Sequence, residues 1–392
     1  MKTQSGNIQA IDLMRSVAIL YVMAAHATVA MASPEMPLVQ SLGQLFARNA
    51  VYGVSIFFVI SGFLITRLMD EGPGGILNPD RRWFYTRRIG RIFPLWTLSI
   101  LFGAEMVYFF RSEQVRYLYC FLPHHSLLDF KFWMSFPTLT FNWLTIFREG
   151  FSYYGLHWSV MWSLAIEEQF YLVYPWALKK CGSVSRLTRG LLVVVAVGLV
   201  FRAGCYFYDS GSSALPMFSS FAGFEGIAMG ALCYLLYSRE KQWLGVLRNG
   251  GWGIGWVGLG LMLYAFSFTE TSVHPFCRVY GSTLMEMGTC FFFWGFLDSK
   301  FLNWKGWRAF TWPGRYSYGL YLMHATTLYF LYPTIHMLPL WKAFGIYVGS
   351  SLAVAALSYR FFELPCNLAI RGWLGKGTGI QKPVLDIPSV KS

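Results

Sequence analysis

The chain of 392 residues is 55% hydrophobic and only 13% charged, with a mean hydropathy of +0.43. A soluble chain carries nearer a quarter charged, so an ordinary soluble domain is excluded and an integral, multi-pass membrane protein is indicated. The net charge of +13 reads as Lys and Arg stacked on one membrane side rather than a nucleic-acid surface, and seven cysteines without a CxxC pair argue against a disulfide framework or any metal site.

The predicted fold is an all-α polytopic membrane protein with about ten transmembrane helices. The first span covers about Gln9 to Ala32 and is not read as a cleavable signal peptide, since more spans follow. Within it, Ile11 to His26 carries three groups foreign to lipid: Asp12, Arg15 and His26. At ~100° per residue, Arg15 and His26 share a face and Asp12 lies on the same side. At ~1.5 Å per residue the Arg and the His stand about 16 Å apart along the axis, roughly half a bilayer core. Such a polar seam is costly in lipid and by default faces a functional interior. The plainer alternative gives His26 an interhelical hydrogen bond and lets Arg15 snorkel to the headgroups.

The second span, about Ala50 to Leu68, contains FFVISGFLI from Phe57 to Ile65. Gly62 permits close helix packing; alternatively, Ser61 offers a hydroxyl and Gly62 leaves room for the narrow part of a substrate. A Gly/Pro loop, Glu71 to Pro79, leads to a basic run: Arg81, Arg82, Arg87, Arg88 and Arg91. The third span is predicted to start at Ile92-Phe93-Pro94, with the proline near its first turn, and to end near Phe110. Arg88 and Arg91 share a helical face, and with Arg87 they form a guanidinium cluster suited to a ligand with phosphates. Anionic lipid headgroups are the rival ligand, and positive-inside charge alone is the bland reading.

Arg111 to Tyr154 is the longest connection. Its aromatic pieces FKFWMSF and FNWLTIF predict short surface or re-entrant helices in the mobile part of the protein. The fourth span, about Gly155 to Leu178, buries the adjacent carboxyls Glu167 and Glu168. They point ~100° apart, so only one can face a given cavity; the alternative is a structural ion pair with a neighbouring helix. The later spans fall at about 190–207, 217–237, 251–268, 279–297, 316–332 and 341–361. The ninth places His324 at mid-depth and the tenth ends at Glu363; both read by default as structural, with substrate contact as the sharper option. If the N-terminus is cytoplasmic, 24 of the 32 Lys and Arg fall on that side, which predicts cytoplasmic termini and an even number of spans. The domain reading is one membrane domain, 9–365, followed by a basic cytoplasmic tail, 366–392, partly disordered. No internal repeat, GxxxxGK[ST] or GxGxxG motif is present, so ATP or dinucleotide chemistry has no support.

Six pieces in order carry a resemblance: Arg15-x10-His26, FFVISGFLI, FYTRRIGRIFP (Phe84 to Pro94), WSLAIEEQFYLVYP (Trp162 to Pro175), GRYSYGLYLMH (Gly314 to His324) and FELP (Phe362 to Pro365). Across about Gln9 to Pro365 the chain resembles the acyltransferase 3 family of integral membrane acyltransferases. The resemblance implies transfer of an acyl group, usually acetyl from cytoplasmic acetyl-CoA, to a hydroxyl of a carbohydrate-type acceptor. It matches Arg15 and His26 to the family's essential pair, and Arg88 and Arg91 to its Arg-x-x-Arg. The chain departs from the family at Gly223-Phe224-Glu225, where members often show an Arg and an Asp, and an esterase-type domain after residue 365 is not expected.

The expected chemistry makes His26, Arg15 and Glu167 the catalytic candidates, and Arg88, Arg91, Arg87, Ser61, Asp12 and His324 the substrate-binding ones. An imidazole, with an ordinary pKa of about 6.5, can take the proton of an attacking hydroxyl, a role worth ~10²–10⁴-fold. Direct attack on the thioester and an acyl-His26 intermediate are both open. No permanently bound cofactor is expected, only acyl-CoA as donor. The expected partners are a saccharide or glycolipid acceptor, the lipid bilayer of the inner membrane and polysaccharide-assembly proteins, with no nucleic acid. The competing class is a multi-span transporter without transfer chemistry.

Overall fold

The computed structural model describes residues 7–31, 49–109, 130–147, 158, 160–208, 214–239, 251–267, 275–297, 299, 302 and 305–374. Among these residues the fold is all-α. The helices are α1 (Asn7–Met31), α2 (Ala50–Glu71), α3 (Arg81–Phe109), α4 (Phe130–Ser135), α5 (Phe141–Phe147), α6 (Met161–Cys181), α7 (Val184–Tyr208) and α8 (Ala214–Phe218). They continue as α9 (Ser220–Arg239), α10 (Gly251–Ser267), α11 (Pro275–Phe296), α12 (Arg308–Arg315), α13 (Ser317–Ile335), α14 (Leu340–Ser358) and α15 (Leu364–Leu374).

Among the described residues, five stretches are long and apolar enough to cross a membrane: Gln9–Thr28, Ala50–Glu71, Val184–Tyr208, Ser220–Arg239 and Leu340–Leu374. Helices α3, α6, α11 and α13 reach 29, 21, 22 and 19 residues but interrupt their apolar runs with charged or polar groups. α10 is apolar and shorter. The apolar helices divide by environment. α7 is buried over only 17% of its best window and turns bulky residues such as Val193 and Val200 outward, whereas α9 is 72% buried. α7 therefore forms an outer wall and α9 the interior.

The interior is organised around α2, which packs on α1, α6, α9 and α11. Its contact with α9 is backbone on backbone. A Cβ on Gly62 would lie 1.8 Å from the carbonyl oxygen of Ile227, and one on Gly230 would lie 2.0 Å from that of Val59. Gly62 is thus a helix-crossing residue, and the expectation that it leaves room for a substrate is corrected. Small residues that let helices touch are the usual packing device in lipid, where no hydrophobic force drives helices together.

The third span also differs from expectation. α3 begins at Arg81, and the basic run is its first three turns. Asp80 supplies the start: its Oδ1 accepts the backbone N–H of Trp83 at 3.0 Å, an N-cap bond. Pro94 accordingly lies inside the helix rather than in its first turn. Proline there removes one backbone donor and crowds the preceding carbonyls, and the Tyr318 hydroxyl donates to the Ile92 carbonyl at 2.6 Å beside it. Past α14 the chain forms one π-helical turn, Tyr359–Glu363, and then α15, which packs along α3 with Arg82 donating to the Leu374 carbonyl. The rest of the expected tail, 375–392, lies outside the described residues.

The long connection does form short helices, α4 and α5; each buries one aromatic side, where Phe132 and Phe141 pack with Phe136 and Trp158, and leaves Phe130 and Phe147 exposed. Gln169 on α6 ties this unit down by donating to the Leu139 carbonyl and to Asn142 Oδ1. Residues 110–129 and 148–157 lie outside the described residues.

Candidate active site

α1 lies against α2, α12, α13 and α14, so its polar side is enclosed by protein. His26 and His324, 298 residues apart, meet there: His26 Nδ1 is 2.7 Å from His324 Nε2. The ring planes differ by 2° and the centroids are 5.0 Å apart. That separation is what the N···N distance plus two ring radii requires, so the imidazoles lie edge to edge in a common plane. His324 is fully buried, and its Nδ1 faces the carbonyls of Leu320 at 3.0 Å and Tyr321 at 2.8 Å on its own helix. His26 is half-buried.

Toward the other end of α1 the charged groups gather. Asp12 sits between two guanidiniums, 3.8 Å from Arg15 and 3.9 Å from Arg315. The approach of α12 that brings Arg315 there depends on Gly314: a Cβ would come within 2.0 Å of the Asp12 carbonyl, and the Gly314 N–H donates to Ser16 Oγ at 2.7 Å. Arg15 lies within the electrostatic reach of Arg88, Arg91 and Tyr171. Arg88 lays its guanidinium over the Tyr171 ring, 4.8 Å from the centroid, and its buried Nε has no hydrogen-bond partner among the described residues. A buried cation held by an aromatic face and lacking a full set of acceptors is suited to an incoming anion.

Glu167 faces this group. Its Oε2 accepts the Tyr171 hydroxyl at 3.0 Å, the same hydroxyl bonds Ser61 on α2, and the charges of Arg88, Arg15 and Arg91 all act on it. Glu168 lies in the field of Arg88. Arg87 stacks over Trp83 at 4.8 Å. Glu363, in the π-helical turn, accepts from Ser358 and feels Arg91. Between the two ends stands Tyr321, whose hydroxyl bonds Ser163 on α6 at 2.6 Å and which senses Glu167. The seam therefore runs from His26 and His324 through Tyr321 to Glu167, Tyr171 and Ser61, and on to Arg88, Arg15, Asp12 and Arg91.

Sequence reasoning named most of these residues but missed Tyr171, Tyr321 and Arg315. Tyr171 stands four after Glu167 and Tyr321 three before His324, so helical spacing places each on its partner's face. It also missed a second buried group. Arg202 on α7 donates to Glu225 Oε2 at 2.5 Å and to Thr283 at 2.5 Å; Thr283 donates on to Glu225 Oε1, and Glu286 lies beside them. Glu225, the departure from the family pattern, is the carboxylate of this ion pair.

Known proteins give this geometry its family. The Acyltransferase domain family matches residues 8–360. A Bacillus subtilis protein provisionally named a peptidoglycan O-acetyltransferase is 27% identical over 82% of this chain and 51% of its own length. A peptidoglycan O-acetyltransferase of Listeria monocytogenes is 25% identical over 91% of this chain and 55% of its own. The chain thus spans about half the length of these curated relatives. No solved structure matches it significantly. With the family match running through every helix that lines the seam, the chain belongs to the Acyltransferase domain family of membrane enzymes that transfer acyl groups.

Proposed function

We propose that the protein is an O-acyltransferase that moves an acetyl group from acetyl-CoA to a hydroxyl of a cell-envelope carbohydrate, across ten spans of the inner membrane with both termini in the cytoplasm. The observation that carries the reading is the polar seam itself, an imidazole pair at one end and a cluster of guanidiniums at the other. Arg88, Arg91 and Arg15 supply cations for the phosphates of the donor, and Arg87 flanks them on α3. The slender pantetheine arm follows the seam past Ser61 and Tyr171 to place the thioester at His26. Asp12 holds Arg15 in position.

At that end the acceptor hydroxyl attacks the thioester carbonyl while His26 takes its proton, a general-base step worth ~10²–10⁴-fold. The names of the relatives support a wall glycan as the acceptor class. Proteins that assemble or present that glycan are the proposed partners. Glu167, fixed through Tyr171, balances the cationic cluster when the donor is absent.

Mass spectrometry of envelope glycans from cells with and without the protein tests the reading. A gain of one acetyl unit is expected, and identical glycans reject it. A carrier without transfer chemistry would also hold buried ionisable groups such as Arg202 and Glu225. It needs no acyl donor, so acetyl-CoA-dependent acylation in isolated membranes separates the two.

A further inference from the structure

We infer that His324 is a positioning residue that fixes the tautomer of His26, making Nε2 of His26 the atom that takes the acceptor's proton. The inference rests on the acyl-transfer reading for its purpose, but its geometry stands alone. His324 Nδ1 has two carbonyl oxygens within hydrogen-bond distance, Leu320 O at 3.0 Å and Tyr321 O at 2.8 Å. A carbonyl only accepts, so this nitrogen carries the proton. His324 is fully buried, so its own helix's carbonyls are the acceptors beside this nitrogen.

A neutral imidazole holds one N–H, so His324 Nε2 presents a lone pair. His26 Nδ1 lies 2.7 Å away in the same ring plane and must donate to it. The proton of His26 is therefore on Nδ1, and its lone pair is on Nε2. The backbone of α13 thus sets, through two rings, which nitrogen of α1 is basic. Orientation of a catalytic imidazole through its other nitrogen is a general device, usually performed by a carboxylate or a carbonyl. Here a second imidazole transmits the carbonyl's preference, keeping a fixed negative charge away from the reacting thioester.

The step balances. The acceptor oxygen bonds to the thioester carbonyl carbon as its proton passes to His26 Nε2. The imidazolium then has both nitrogens protonated, and Nδ1–H still donates to His324 Nε2. As the C–S bond breaks, the proton on Nε2 returns to the departing thiolate, leaving an ester, a thiol and the starting tautomers.

Two measurements test this on the full-length protein in lipid nanodiscs. ¹⁵N-histidine NMR, with His26 assigned by its loss in His26→Ala, is expected to show Nδ1 protonated and Nε2 of pyridine type. A protonated Nε2 overturns the inference, whatever the activity. In kinetics, His324→Phe keeps a ring but removes the acceptor. It is expected to lower kcat ~10²-fold with donor KM within about threefold, while His324→Gln, whose Oε1 can accept from Nδ1–H, recovers at least about tenfold. Unchanged kcat in His324→Phe, or equal loss in both variants, overturns it. Wild-type protein that transfers no acyl group rejects the functional reading and leaves the NMR result to decide the tautomer.

Discussion

Gly62→Ala tests the helix crossing that holds the site together. The added Cβ would lie 1.8 Å from the Ile227 carbonyl oxygen, 2.7 Å from its carbon and 3.0 Å from the Ala231 nitrogen. Ordinary contact begins at 3.4 Å, so α2 and α9 must part by 1.6 Å (3.4 less 1.8). The obstacle is backbone, so no side chain can rotate aside. Overpacking of this kind costs about 1–3 kcal/mol, and a backbone clash belongs at the upper end. The gain in helix propensity from glycine to alanine, about 1 kcal/mol, does not offset it. Ser61 is the adjacent residue, so the shift also pulls its hydroxyl from Tyr171 and loosens Glu167. The assay is thermal unfolding in detergent alongside acetyl transfer, with Gly260→Ala as control, since nothing lies within 4 Å of a Cβ there. Gly62→Ala is expected to melt earlier and lose activity while the control stays neutral or gains slightly. Identical melting and activity in both variants would refute the crossing.

Other outcomes follow from the same contacts. Glu225→Ala leaves Arg202 buried with half its partners, and breaking such a pair costs ~3–5 kcal/mol; the Arg202→Met/Glu225→Met double variant should melt above either single variant, and additive losses would contradict the pairing. Arg88→Ala and Arg91→Ala should raise donor KM more than they lower kcat, and Arg88→Lys should restore Arg88 only in part because an ammonium lacks the guanidinium's planar stack on Tyr171. A rise in acceptor KM alone would contradict their assignment to the donor. Tyr171→Phe keeps the ring under Arg88 and deletes the hydroxyl shared by Ser61 and Glu167. A stability loss of about 1 kcal/mol with reduced kcat is expected, and wild-type kinetics would remove Tyr171 from the seam.

Local patterning made the seam legible and pairwise contact did not. Arg15 and His26 could be placed on one face because helical geometry fixes spacing along a single element. The partner of His26 lies 298 residues away, and periodicity carries no information about which helix will face which. The same limit applies to Arg202 and Glu225, which stand on two separate helices. Gly62 was read both as a packing residue and as space for substrate; the backbone of α9, invisible from α2's own sequence, decided for packing. At Arg81 to Arg91 the error was of another kind. The span was expected to start at Ile92, but Asp80 caps a helix that already begins at Arg81, and Pro94 is accommodated inside it with a tyrosine hydroxyl from α13 on the nearby Ile92 carbonyl. The buried faces of Phe132 and Phe141 came from contacts with Phe136 and Trp158, which no single-segment pattern records.

The most direct test of the central claim is transfer of labelled acetyl from acetyl-CoA to envelope glycan in membranes containing His26→Ala. The variant should insert and melt like the wild type, because His26 is half-buried and contributes one side-chain hydrogen bond among the described residues. It is expected to transfer no label above membranes lacking the protein. Label transferred by His26→Ala at the wild-type rate would contradict the account.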